Sequence, residues 1–84
     1  MTQDPQQPAP LRFNNEEKLR RQMRKRGWDE QQIREALATT PMPAQGKQGP
    51  ALRYVHPVSG KSVVVDQATG QIFHVAGEGF RYDV

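Results

Sequence analysis

The strongest constraint in this chain is the six-residue stretch from Trp28 to Ile33. Asp29 is a good helix N-cap, and Gln32 three positions later completes a capping box. Trp28 at N′ and Ile33 at N4 form a hydrophobic staple around the same cap. Gly27 stands immediately before them, where a preceding helix would place its left-handed C′ residue. One helix therefore has to stop at Gly27 and another has to start at Asp29. Ile33 and Leu37 share one face of the second helix, and Thr39, Thr40, Pro41 and Pro43 stop it.

The remaining elements follow outward from this corner. The first helix starts at Asn14 or Asn15, since Asn caps well and Glu16 and Glu17 suit the positive end of the helix dipole. Residues 1–14, rich in Pro and Gln, read as a disordered tail, and residues 15–84 as a single domain. Residues 45–50 read as a loop around Gly46 and Gly49. Residues 52–56, 61–66 and 71–75 are strand-like runs. The gaps 57–60 and 67–70 each end in Gly, as a hairpin with a left-handed residue requires. Residues 80–82 offer a short edge strand. The expected fold class is α+β, with two N-terminal helices packed on one face of a small antiparallel sheet of three or four strands. A chain of 84 residues with 35% hydrophobic content supports one modest core.

Charge narrows the function. Lys and Arg outnumber Asp and Glu by 12 to 9, and the pI is near 9.7. Lys18, Arg20, Arg21, Arg24, Lys25 and Arg26 form a run with no acid among them. Such a run suits a polyanion such as nucleic acid, and a solvated helix face is its plainer explanation. No long apolar stretch accompanies the charge, so a membrane target is not expected, and the N-terminus has no secretory signal. There is no cysteine, and two histidines without an HExxH spacing do not make a zinc site. No phosphate-cradling loop, no nucleophile elbow around Ser59 or Ser62, and no need for a cofactor is legible.

The first helix turns about 100° per residue. Leu19 and Met23 make its apolar stripe, while Lys18, Gln22 and Arg26 form a ridge beside it. Arg26 falls almost on the stripe. Either it snorkels or pairs with an acid such as Asp66, or it points into a cleft between helix and sheet. In the first strand Tyr54 and His56 share one face and Arg53 takes the other. Tyr54 reads as a half-buried core residue or a base-stacking platform. His74 reads as a satisfied strand histidine. His56, at a turn before Pro57, is expected to be exposed and available to RNA.

Taken in order, Arg26-Gly27-Trp28, Ile33, the Thr-Pro stop, Arg53-Tyr54-Val55, Val63-Val64-Val65-Asp66, Thr69-Gly70 and Ile72-Phe73-His74-Val75 resemble the ribonuclease domain of the colicin E-five type. The resemblance spans Glu16 to about Tyr82, and that family belongs to a wider group of barnase-like and RelE-like toxins. It implies a metal-independent tRNA ribonuclease that cuts the anticodon of tRNAs for Tyr, His, Asn and Asp. The ribose 2′-OH attacks the adjacent phosphorus and leaves a 2′,3′-cyclic phosphate. By position, Arg26 matches the family's key arginine and Lys18 its supporting lysine. Arginine stays protonated, so Arg26 is cast as a stabiliser of the phosphate rather than a base. Arg53 or Lys61 is expected to complete the catalytic set from the sheet, with Lys25, Trp28, Lys47, Tyr54 and His56 as RNA contacts. The resemblance also implies a cytoplasmic site of action, a monomer when free, and an acidic antitoxin or immunity protein as partner.

Two other readings compete. Gly27-Trp28 and Tyr54-x-His56-Pro57 resemble an mRNA-cleaving toxin of double-stranded-RNA-binding-like fold, with His56 as catalyst, although that fold closes with a helix after its sheet. The other is a non-catalytic RNA-binding module, in which the basic run supplies only electrostatics.

Overall fold

A computed structural model of the chain describes residues 11–46 and 49–77. Helices α1 (Glu16–Arg26) and α2 (Glu30–Leu37) are followed by strands β1 (Met42–Gly46), β2 (Gly49–Val55), β3 (Ser62–Asp66) and β4 (Ile72–Val75). The strands form one antiparallel sheet in sequence order, and the helices lie on one of its faces.

The corner read from residues 27–33 forms largely as expected. Asn15 caps α1 through a bond from Lys18 N at 3.1 Å, and Asp29 caps α2 through one from Gln32 N at 2.8 Å. The return half of the capping box is not made, because Gln32 Oε1 has no hydrogen-bond partner among the described residues. Gly27 adopts φ 76°, which lets Trp28 N reach back to Met23 O at 2.7 Å and close the helix. Trp28 and Ile33, the two ends of the staple, both lie in the core.

That core is a single cluster between the layers. Leu19 and Met23 from α1, Trp28 from the corner, and Ile33 and Ala36 from α2 pack on Val63 and Val65 of β3 and Ile72 and Val75 of β4. Both hairpin glycines behave as expected, Gly60 at φ 77° and Gly70 at φ 75°.

Two expectations are corrected. The segment read as a loop at 45–50 is the tip of the β1–β2 hairpin, where Gln45 pairs with Pro50 and Gly46 with Gly49. The sequence concealed β1 because Met42-Pro43-Ala44-Gln45-Gly46 has neither alternation nor β-branched residues. Proline is tolerated there because β1 is an edge. Residues 11–14, read as part of the disordered tail, are also ordered against the sheet. Asn14 N bonds Ile72 O at 3.0 Å and Ile72 N bonds Arg12 O at 2.8 Å, so Phe13 bridges β4 in parallel. Leu11 and Phe13 pack against the core, which gives this segment an apolar reason to order. The edge strand expected at 80–82 lies outside the described residues.

Ile33 is fully buried and Val58 is 88% exposed. Ile33→Ala is therefore expected to cost about 2–5 kcal/mol in urea unfolding, and Val58→Ala within about 0.5 kcal/mol. Equal effects would show that α2 does not depend on this packing.

Candidate functional site

The basic residues of α1 divide into two groups. Arg20 reaches Glu16 at 2.9 Å and Glu30 at 2.8 Å, and Arg21 reaches Glu17 at 3.7 Å. Lys18, Arg24, Lys25 and Arg26 have no carboxylate partner among the described residues. The plain reading of a salt-bridged, solvated helix face holds for the first group. In the second group Lys18, Arg24 and Lys25 are exposed to solvent without a described carboxylate, and Arg26 is part-buried. Arg24, Lys25 and Arg26 also sit favourably against the negative end of the helix dipole.

Arg26 is the most constrained of these. Its guanidinium is part-buried and donates from Nη1 to Val75 O at 2.7 Å. Of the two fates open to it, pairing with Asp66 does not occur. Asp66 instead accepts from Ala68 N at 2.8 Å and Thr69 N at 3.3 Å within its own turn. One donor of the guanidinium is occupied by the carbonyl, and the rest of its planar fork is not used by that bond. Two turns earlier on the same ridge is Lys18. Gln22 lies between them, and its Oε1 is shielded from solvent with no hydrogen-bond donor among the described residues.

The strand beneath this ridge is irregular. Val64 pairs with His74 and Val65 with Ile72, so Phe73 is an extra residue in β4. Ile72 and Val75 both enter the helix-side core. Strict alternation cannot place two residues three apart on one face. The bulge makes it possible by sending both Phe73 and His74 away from that core. Phe73 crosses the opposite face towards the β1–β2 hairpin, where its Cζ would stand 3.2 Å from a Cβ on Gly46. His74 lies in register with Val64 and, beyond it, Arg53. Two strand spacings separate Arg53 from His74, or about 10 Å. Burial, and after it the positive charges of Arg26 and then Lys18, push the His74 imidazole below its usual range. Read locally, His74 is an ordinary strand histidine, because the register shift that re-aims it involves a second strand.

The other candidates have different surroundings. Lys61 Nζ donates to Arg26 O and Gly27 O, both at 3.0 Å, and lies 5.6 Å from the Trp28 ring centroid. It caps the carbonyl end of α1. Trp28 is buried and donates from Nε1 to Ala76 O at 2.9 Å. Tyr54 packs partly buried against the helix-side core. Lys25 is exposed in the last turn of α1. Lys47 lies outside the described residues.

His56 corrects the sequence reading, which expected it to be exposed. It is 6% exposed, and its Nδ1 accepts from Val58 N and Ser59 N, each at 3.1 Å. Its Nε2 therefore carries the proton and donates to Glu35 Oε1 at 2.7 Å. The imidazole holds the β2–β3 turn to α2, which removes it as an exposed catalyst for the mRNA-cleaving alternative.

No three His, Asp or Glu side chains gather into a possible metal site among the described residues. Nor is any helix among them long and apolar enough to cross a membrane. An open cavity of about 370 Å³ lies between the N-terminal segment, α2 and the sheet, lined by Leu11, Leu37, Tyr54 and Ile72 among others. None of Lys18, Arg26 or His74 lines it. Comparison with protein-family models, with curated proteins and with solved structures finds no match to this chain.

The bond from His56 holds the Glu35 carboxyl below its usual value of 4.5. On acidification the unfolded chain takes up this proton first. The contribution of the pair is thus complete above about pH 4.5 and is lost as the pH falls through the lower folded-state value. Urea titrations of wild type and Glu35→Gln from neutral pH to pH 3 are expected to show the wild type more stable at neutrality, with the gap closing on acidification. A constant gap would mean that the interaction does not depend on the carboxylate charge.

Proposed function

We propose that this protein is a metal-independent endoribonuclease toxin that cuts tRNA in the anticodon loop, in tRNAs for Tyr, His, Asn and Asp. The 2′-OH attacks the neighbouring phosphorus, the bond to the 5′-oxygen breaks, and a 2′,3′-cyclic phosphate remains. The observation that carries this reading is the anchored Arg26 guanidinium on an α1 ridge whose cations are not neutralised by the described carboxylates.

Transesterification of RNA builds negative charge on the non-bridging phosphorane oxygens. A guanidinium already held by the Val75 carbonyl meets that charge with little reorganisation, and its fork matches two oxygens at once. Lys18, on the same ridge, adds a compact second charge. In this reading Arg53, from β2, adds a further positive charge. Lys61 acts one step away, fixing the helix end that carries Arg26. The partner that fits these unneutralised cations is an acidic antitoxin or immunity protein covering the ridge. The free protein acts in the cytoplasm as a monomer.

The test is incubation of the pure protein with total tRNA in EDTA, with the ends mapped by sequencing. Anticodon cuts in the four named tRNAs support the proposal, and cuts confined to mRNA would move it to another substrate. RNA left whole in both would leave an RNA-binding module. Arg26→Ala is expected to slow cleavage by about 10²–10³-fold. Losing its bond to Val75 O should cost only about 0.5–1.5 kcal/mol of stability. A purely binding role predicts instead a weaker affinity and a smaller salt slope, with no cleavage to lose.

A further inference from the structure

We propose that residues 78–84 fold back over the second face of the sheet, the one turned away from the helices, and seal it with Phe80 and Tyr82. The proposal stands apart from the ribonuclease reading. Alternation along the strands puts Ala51, Arg53, Ser62 and Val64 on this face, with His74 and Ala76 joining them past the bulge. Both helices pack on the other face. An open face would show the tops of these side chains to water. Instead Ser62 and Val64 are fully buried, and Ala51 and Ala76 are each 1% exposed. Arg53 Nε and His74 Nε2 are shielded from solvent as well, and both residues are engaged with partners. The shielding is already complete in one chain.

Described side chains explain one end of it. Phe73 crosses towards the β1–β2 hairpin, where its Cζ would stand 3.2 Å from a Cβ on Gly46, beside Ala51. The other end is different. There the row is Val55, Ser62 and Ala76, with Ala76 N bonded to Ser62 O at 2.9 Å. Such short side chains cannot hide one another completely from water. A further part of the chain therefore lies over Ser62, Val64 and Ala76.

Three properties select residues 78–84 for that place. The first is continuity, since the chain passes Ala76 on this face and runs directly into Gly77, Glu78 and Gly79. Glycine lets a chain turn back without a Cβ penalty. Seven residues reach about 25 Å at most, and the Val64 row lies only about 7 Å along the strand from Ala76. The second is pattern: Phe80, Tyr82 and Val84 alternate with Arg81 and Asp83, which gives an extended segment one apolar side. The third is charge, because Glu78 and Asp83 outnumber Arg81 and meet Arg53 on the sheet. Residues 1–10 lack these properties. Prolines aside, Met1 is their only large apolar side chain, and they join at Leu11, which packs against the helix-side core. A cover of this kind takes the second face out of use as a docking surface and leaves ligands the helix side and the sheet edges.

The test is NMR on the full chain, uniformly labelled with carbon-13 and nitrogen-15. Nuclear Overhauser contacts are expected from the Val64 and Ala76 methyl groups to the ring protons of Phe80 or Tyr82. Contacts to residues 1–10 instead, or to none of residues 78–84, overturn the proposal. So do contacts seen only between differently labelled copies, which would give the face to a second chain. A second measurement uses the full chain carrying Phe80→Ala and Tyr82→Ala. Its urea midpoint is expected to fall by about 1 M, with new fluorescence from a dye that binds exposed apolar surface. A wild-type midpoint without dye binding overturns the proposal too.

Discussion

Two consecutive carbonyls at the end of β4 hold the protein's two layers in one register. Val75 O accepts from Arg26 at 2.7 Å, and Ala76 O accepts from the Trp28 indole at 2.9 Å. The donors flank Gly27, the residue at which α1 stops. The helix end is thus tied to the strand end by side chains two positions apart. Lys61 closes the arrangement from β3's side, bonding the carbonyls of Arg26 and Gly27 while its ammonium lies over the Trp28 ring. A hydrophobic cluster alone would let a helix of this size slide by a fraction of a turn. Directional bonds to fixed carbonyls do not. The position of α1's ridge over β4 follows from them.

The cations of α1 are of two kinds. Arg20 and Arg21, set against Glu16, Glu17 and Glu30, are exposed or part-exposed pairs of the kind that contribute little net stability. Lys18, Arg24, Lys25 and Arg26 are left without such partners among the described residues. Unneutralised charge concentrated on one helix raises the free energy of the unliganded protein and favours anions near it.

Local signals were legible in the sequence, and cross-strand ones were not. The caps Asn15 and Asp29, the stop at Gly27, the staple of Trp28 and Ile33, and both glycine-ended hairpins depend on residues within a few positions of one another. The helix ridge of Lys18, Gln22 and Arg26 depends only on helical periodicity, and it too was readable. β1 was hidden because an edge strand with Pro43 earns its place by pairing with β2, not by its own composition. His56 was misjudged because its partners, Glu35 and the amides of Val58 and Ser59, converge only in three dimensions. The sequence marked Lys61 as a basic group near a strand end. Nothing local revealed that it would cap a helix that ended more than thirty residues earlier.

A strand read along its length is a binary alternation, and inserting one residue changes its phase. β4 is such a strand: Ile72 belongs to one phase and Val75 to the other, yet both serve the same core because Phe73 supplies the missing step. Losing the bulge while keeping every residue would exchange roles: with Ile72 held in the core, strict alternation would turn His74 inward and Val75 outward. Losing Phe73 itself would instead leave Ile72 and Val75 two apart and both inward. The register of this hairpin arm therefore decides which side chains meet the core as much as the identity of the residues in it.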